Sequence, residues 1–116
     1  MTRSEIRLRV DRSEEAIEDI RWEAEEAPVS GEQEARAMIL ALWDPAARNA
    51  MRIDLWTREM TVQEMNEFFF QTLMSLADTY QSATRNAELS AELKMFAREF
   101  VEKAVQAEAR NARGSA

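Results

Sequence analysis

AMRIDLWTREMTVQEMNEFFFQTLMSLADTYQSA, residues 50–83, is the stretch whose reading decides the fold. Met51, Ile53 and Leu55 alternate with Arg52, Asp54 and Trp56, the period-two pattern of a strand with two distinct faces. Beyond Thr57 the spacing changes. Met65, Phe69, Leu73, Leu76 and Tyr80 recur every three or four residues, as on one face of an amphipathic helix. Between the two patterns lies Thr61-Val62-Gln63-Glu64, a capping box whose hydroxyl and carboxylate each satisfy a free amide at a helix start. Met60 and Met65 flank it as a hydrophobic staple. Phe70, Met74 and Ala77 widen the apolar arc, so the helix needs two neighbours, a sheet and a second helix.

Downstream, Leu89, Leu93, Phe96, Ala97, Phe100, Val101 and Ala104 mark that second helix, and the short link at residues 85–87 predicts antiparallel packing. Residues 109–116 lose their apolar side chains and read as a flexible C-terminal tail after a single domain over residues 1–108.

Upstream, Ile6, Leu8 and Val10 alternate with Glu5, Arg7 and Arg9, a half-buried strand with a solvated outer face. Residues 11–19 suggest a short helical turn capped by Asp11 or Ser13, and Ile20, Trp22 and Ala24 then alternate as a second strand. One continuous helix over residues 13–27 fits the same residues, and periodicity alone leaves both open. Residues 28–34, with a proline and a glycine, read as a loop. Residues 35–43 (ARAMILALW) are apolar on both faces, which requires a strand central in its sheet or buried against another subunit. Pro45 and Asn49 mark a hairpin connection to the fourth strand at residues 50–57. The expected fold class is α+β: a four-stranded, mainly antiparallel sheet followed by two antiparallel C-terminal helices packed on one face.

Composition limits the chemistry. With 22 acidic against 15 basic residues the net charge is −7, which disfavours nucleic acid and anionic membrane surfaces as partners. The chain has no cysteine and no histidine, which removes thiolate chemistry and the commonest neutral-pH base and transition-metal ligand. Its two glycines leave no room for a glycine-rich phosphate loop. The start is charged and lacks a signal-peptide core, and no apolar run approaches a bilayer span, so the expected location is the cytoplasm, with no membrane insertion. The acidic clusters around Glu14–Asp19 and Glu23–Glu26 lack an alternating oxygen-ligand loop, and a solvated charged face is the stronger reading. No catalytic, metal or cofactor site is expected, and no enzymatic activity.

The outward sheet face is more informative. Parity places Ile39, Trp43 and Trp56 there with Arg7, Arg9, Arg52, Glu23 and Asp54. Cross-strand ion pairing explains the charges, but two tryptophans and an isoleucine fit a solvated surface poorly. Aromatics and arginines are enriched at interface anchors. These residues (Ile39, Trp43 and Trp56 as anchors, Arg7, Arg9, Arg52 and Asp54 around them) form the expected interface, through which a homo-oligomer or a protein partner would assemble. Phe68-Phe69-Phe70 and the seven methionines could also form an adaptable groove, although helix packing accounts for most of them.

Ile20-Arg21-Trp22-Glu23-Ala24, residues 37–44 and above all Arg52-Ile53-Asp54-Leu55-Trp56-Thr57 resemble the gliding motility protein GldC family. Met65, Phe69 and Leu76-Ala77-Asp78-Thr79 carry the resemblance into the helix, and it spans about residues 6–100. A proline that enters the short helix of the family pattern near Ala16 is missing here. The resemblance implies a small, soluble cytoplasmic accessory protein of gliding motility or its secretion apparatus, acting through protein contacts and contributing no catalytic residues. Asp19-Ile20-Arg21-Trp22-Glu23-Ala24 with Ala27-Pro28 is also similar to a segment of the export chaperone SecB. That similarity implies an alternative role, binding unfolded exported chains.

Overall fold

The computed structural model describes residues 1–114, with side chains described through Asn111. The chain divides into two compact units, Met1–Met60 and Thr61–Ala116. The first holds five strands: β1 (Ile6–Arg12), β2 (Ile17–Ala24), β3 (Gln33–Ala35), β4 (Ala37–Asp44) and β5 (Asn49–Trp56). The second holds α1 (Val62–Thr84) and α2 (Ala87–Gly114). The α+β class and the antiparallel pairing agree with the sequence. The single four-stranded sheet does not: β1-β2-β3 form one sheet and β4-β5 another.

The division falls at Arg36, the one residue between β3 and β4. β2 pairs with β3 only from Ile20↔Ala35 to Trp22↔Gln33. At the next residue the Arg36 carbonyl accepts the Thr57 amide at 2.8 Å, and the Ile17 carbonyl accepts the Arg58 amide at 3.2 Å. The end of β5 thus takes the backbone group that a longer β2–β3 ladder would need. A parallel bridge, Ile17↔Thr57, ties the two sheets together. Residues 33–34, expected as the end of a loop, join Ala35 in the short β3.

Residues 11–19 hold no helical turn, and residues 13–27 are not one helix. β1 runs to Arg12, with a register irregularity at Asp11/Arg12, and β2 starts at Ile17. Ser13 still performs the capping chemistry read from the sequence, but in a hairpin. Its hydroxyl oxygen accepts the amides of Glu15 and Ala16, both at 3.3 Å, and the hydroxyl donates to Glu18 at 2.8 Å. Asp44 does the same for the β4–β5 turn, where its carboxylate accepts the amides of Ala46 (3.0 Å) and Ala47 (3.2 Å). The turn closes with Arg48 in the left-handed region, φ 51°.

α1 begins as its sequence requires. Thr61 is the N-cap, Glu64 N–H donates to its hydroxyl at 3.0 Å, and the Glu64 carboxylate accepts the Thr61 amide at 3.2 Å. The helix ends at Arg85, whose left-handed backbone (φ 63°) directs its N–H to the Gln81 carbonyl. The two helices run antiparallel. Asn66 meets Glu108 at 2.6 Å near one end, Phe69 stacks on Phe100, and Lys94 reaches Asp78 at 2.7 Å near the other. The seam between them is built from small residues. Ala77, Ala97 and Ser90 are buried, and the Ser90 hydroxyl donates to the Ala77 carbonyl at 2.7 Å.

α2 extends to Gly114 and so includes most of the segment read as a tail; residues 115–116 lie outside the described residues. The seam also differs from the expected stripe. Phe69, Leu76 and Tyr80 remain exposed beside it, because Ala77 rather than Leu76 faces α2. In the first unit the buried apolar residue is Ile20, while Met51 and Ile53, on the apolar side of the alternation in β5, are about half exposed.

Candidate functional site

The β4–β5 ladder runs without irregularity from Ala37↔Trp56 to Asp44↔Asn49. Directly opposed residues share a face. One face therefore carries Ala37, Ile39, Ala41 and Trp43 from β4 with Trp56, Asp54, Arg52 and Ala50 from β5. The other carries Met38, Leu40 and Leu42 with Leu55, Ile53 and Met51. Ile39, Trp43, Arg52, Asp54 and Trp56 are thus brought together on one face of one hairpin.

The arrangement follows from residue size. Trp56 stands opposite Ala37 and Trp43 opposite Ala50, so each indole rises beside a methyl group and little covers it. Trp43 is 62% exposed and Trp56 59%. Between them Arg52 and Asp54, two residues apart on the same strand, form an ion pair at 3.0 Å. Both partners are about half exposed, so the pair contributes under about 1 kcal/mol to stability. It leaves a neutralised polar centre between two exposed indoles.

Next to Trp56 a shallow groove is lined by Arg12, Glu15, Ile17, Asp54 and Arg58. Arg58 is held by Glu18 at 2.6 Å and by Glu15 at 4.0 Å. Thr57, adjacent in sequence, is 4% exposed, and its hydroxyl oxygen has no hydrogen-bond partner among the described residues. A buried hydroxyl without a partner is costly. Sequence reading missed it, because alternation along β5 says nothing about which residue the second sheet covers.

Arg7 and Arg9 lie elsewhere. They belong to β1 in the three-stranded sheet, where Arg7 stands opposite Glu23 and Arg9 opposite Arg21. Arg7 pairs with Glu5 at 3.4 Å, and Arg9 pairs with Glu32. On the neighbouring strand Asp19 receives Arg21 at 2.9 Å, and that hydrogen bond raises the guanidinium pKa above its ordinary value. The two arginines join a charged β1–β2 face, not the tryptophan face.

Among the described residues no group of three or more acidic side chains is placed to hold a metal ion, and no helix is long and apolar enough to cross a membrane. No curated protein and no solved structure matches the chain. Residues 17–106 match the family described as gliding motility-associated protein GldC-like, a match that takes in β2 to β5, α1 and most of α2. The chain belongs to the GldC-like family of gliding motility-associated proteins.

Proposed function

We propose that this protein is a non-enzymatic accessory of gliding motility or of the secretion apparatus that serves it, acting in the cytoplasm through protein–protein contacts. Family membership supports the association with gliding. The observation that carries the mode of action is the pair Trp43 and Trp56, each about 60% exposed on one hairpin face around the Arg52–Asp54 ion pair. Large aromatic side chains contribute most of the binding energy at interfaces when a partner buries them. The protein docks through this face onto another protein and associates with copies of itself. It uses no cofactor and binds neither nucleic acid nor membrane directly. Deleting the gene in the native cell should abolish or slow gliding, and the Trp43→Ala/Trp56→Ala variant, at equal protein level, should fail to restore it. Full restoration by that variant would sink the docking role.

A second reading, a SecB-like chaperone for unfolded exported chains, draws support from the helical unit. Phe69, Leu76 and Phe96 are 41%, 55% and 56% exposed, an apolar surface of the kind that engages unfolded segments. Such a chaperone suppresses aggregation of unrelated unfolded proteins at near-stoichiometric ratio, and no suppression would eliminate this reading.

A further inference from the structure

The two sheets have four outer strands, and three of them are protected against pairing with another chain. β1 carries Arg7, Arg9 and Asp11 and a register irregularity at Asp11/Arg12. β3 is three residues long. β5 carries Arg52 and Asp54 and ends in the Ile17↔Thr57 bridge. β4 differs from all of these. From Ala37 to Trp43 it reads AMILALW, with no charge, proline, glycine or bulge, and its one hydrogen-bonded neighbour among the described residues is β5. A long, regular, uncharged edge is the kind that proteins avoid unless another strand covers it. A two-stranded ribbon is also marginal in water on its own.

We propose that the open edge of β4 pairs antiparallel with β4 of a second copy, joining two hairpins into one four-stranded sheet, β5-β4-β4-β5. This rests on the self-association part of the function proposed above and specifies its geometry.

Charge and size select the second copy as occupant and also fix the register. With the two-fold axis at Leu40, normal to the sheet, residue numbers facing each other across the new ladder add to 80. Asp44 of one copy then faces Arg36 of the other, and the pairing is repeated at the opposite end. No like charges meet along the strand, although the chain carries a net charge of −7. Trp43 faces Ala37 of the second copy, and Ala37 already faces Trp56 within its own hairpin. The row across the four strands becomes Trp56, Ala37, Trp43, Ala50, an alternation of large and small side chains that interdigitates. On the opposite face Leu40 meets its own counterpart between the two Ile53 side chains, an entirely apolar row. Cross-strand pairs of these kinds stabilise a sheet. Assembly also doubles the tryptophan face.

The natural chain has no cysteine, so a single introduced thiol reports position without background. The full chain should sediment at tens of micromolar as a dimer, twice its 13.4 kDa. In a scan of single-cysteine variants at residues 39–42, with Ala50→Cys on β5 as control, mild oxidation should give linked dimers fastest at Leu40→Cys, at least tenfold faster than at Ala50→Cys. Leu40→Glu and Leu40→Lys should each weaken the dimer at least tenfold with an unchanged circular dichroism spectrum, and mixing the two should restore it. A monomer at these concentrations overturns both the self-association reading and this geometry. A dimer whose linking peaks anywhere but residue 40, or that tolerates Leu40→Glu, overturns the geometry alone.

Discussion

Trp43 and Trp56 lie on the same face of the β4–β5 hairpin at opposite ends of its ladder, Trp43 across from Ala50 and Trp56 across from Ala37. Ala37 and Trp43 are six positions apart on β4, so at about 3.3 Å per residue the two indoles stand about 20 Å apart. Under the docking role proposed above, that span sets the footprint of the partner surface. Replacing either tryptophan by alanine should lower unfolding free energy by no more than about 2 kcal/mol, because each is about 60% exposed in the chain itself. Partner affinity should fall by about 2 kcal/mol, roughly 30-fold, for each replacement. Denaturant titration and a binding isotherm on the same variants separate the two effects. A large stability loss would mean that the indoles serve the fold.

Thr57 presents a buried hydroxyl oxygen that has no hydrogen-bond partner among the described residues. Valine has nearly the same shape and no polar atom to desolvate, so Thr57→Val should raise stability by about 1 kcal/mol. Equilibrium unfolding measures this directly. A loss of similar size would show that the hydroxyl has a partner in solution.

The helical unit depends on close approach at Ala77, Ser90 and Ala97. Ala77→Leu or Ala97→Leu should destabilise by about 1–3 kcal/mol through overpacking, and Ser90→Ala by about 1 kcal/mol through loss of the bond to the Ala77 carbonyl. Thermal unfolding should rank both leucine variants below Ser90→Ala. The reverse order would place the seam elsewhere.

The two ends of α1 should respond in opposite directions. Thr61→Ala removes the capping box and should cost about 1 kcal/mol. Arg85→Gly relieves a left-handed backbone in a residue with a Cβ and should add up to about 1 kcal/mol. Hydrogen exchange in the first and last turns of α1 reports each change locally.

Much of this arrangement was legible in the residues themselves. The capping box at Thr61, the strand-to-helix switch after Thr57 and the face parity of Ile39, Trp43, Arg52, Asp54 and Trp56 are local properties, fixed by periods of two and 3.6. Nonlocal competition was not legible. Alternation in β1 placed Arg7 and Arg9 on an outward face but could not reveal that the sheet divides at Arg36, since that depends on Thr57 taking the Arg36 carbonyl. Ser13 announced a cap without saying whether it closes a helix or a hairpin, because the same oxygen satisfies free amides in both. The doubly apolar β4 left two options, central in a sheet or against another subunit. Among the described residues β4 pairs only with β5, so the first option, a central strand, does not hold.

The central claim, that the tryptophan face of the β4–β5 hairpin is where this GldC-like protein engages its partner, is tested most directly by site-specific photo-crosslinking in the native cell. A photoreactive residue placed at position 43 or 56 should give discrete adducts containing a component of the motility or secretion machinery, and one placed at Glu102, exposed on α2, should not. Adducts at Glu102 matching those at 43 and 56, or no adduct at either tryptophan position, would contradict the claim.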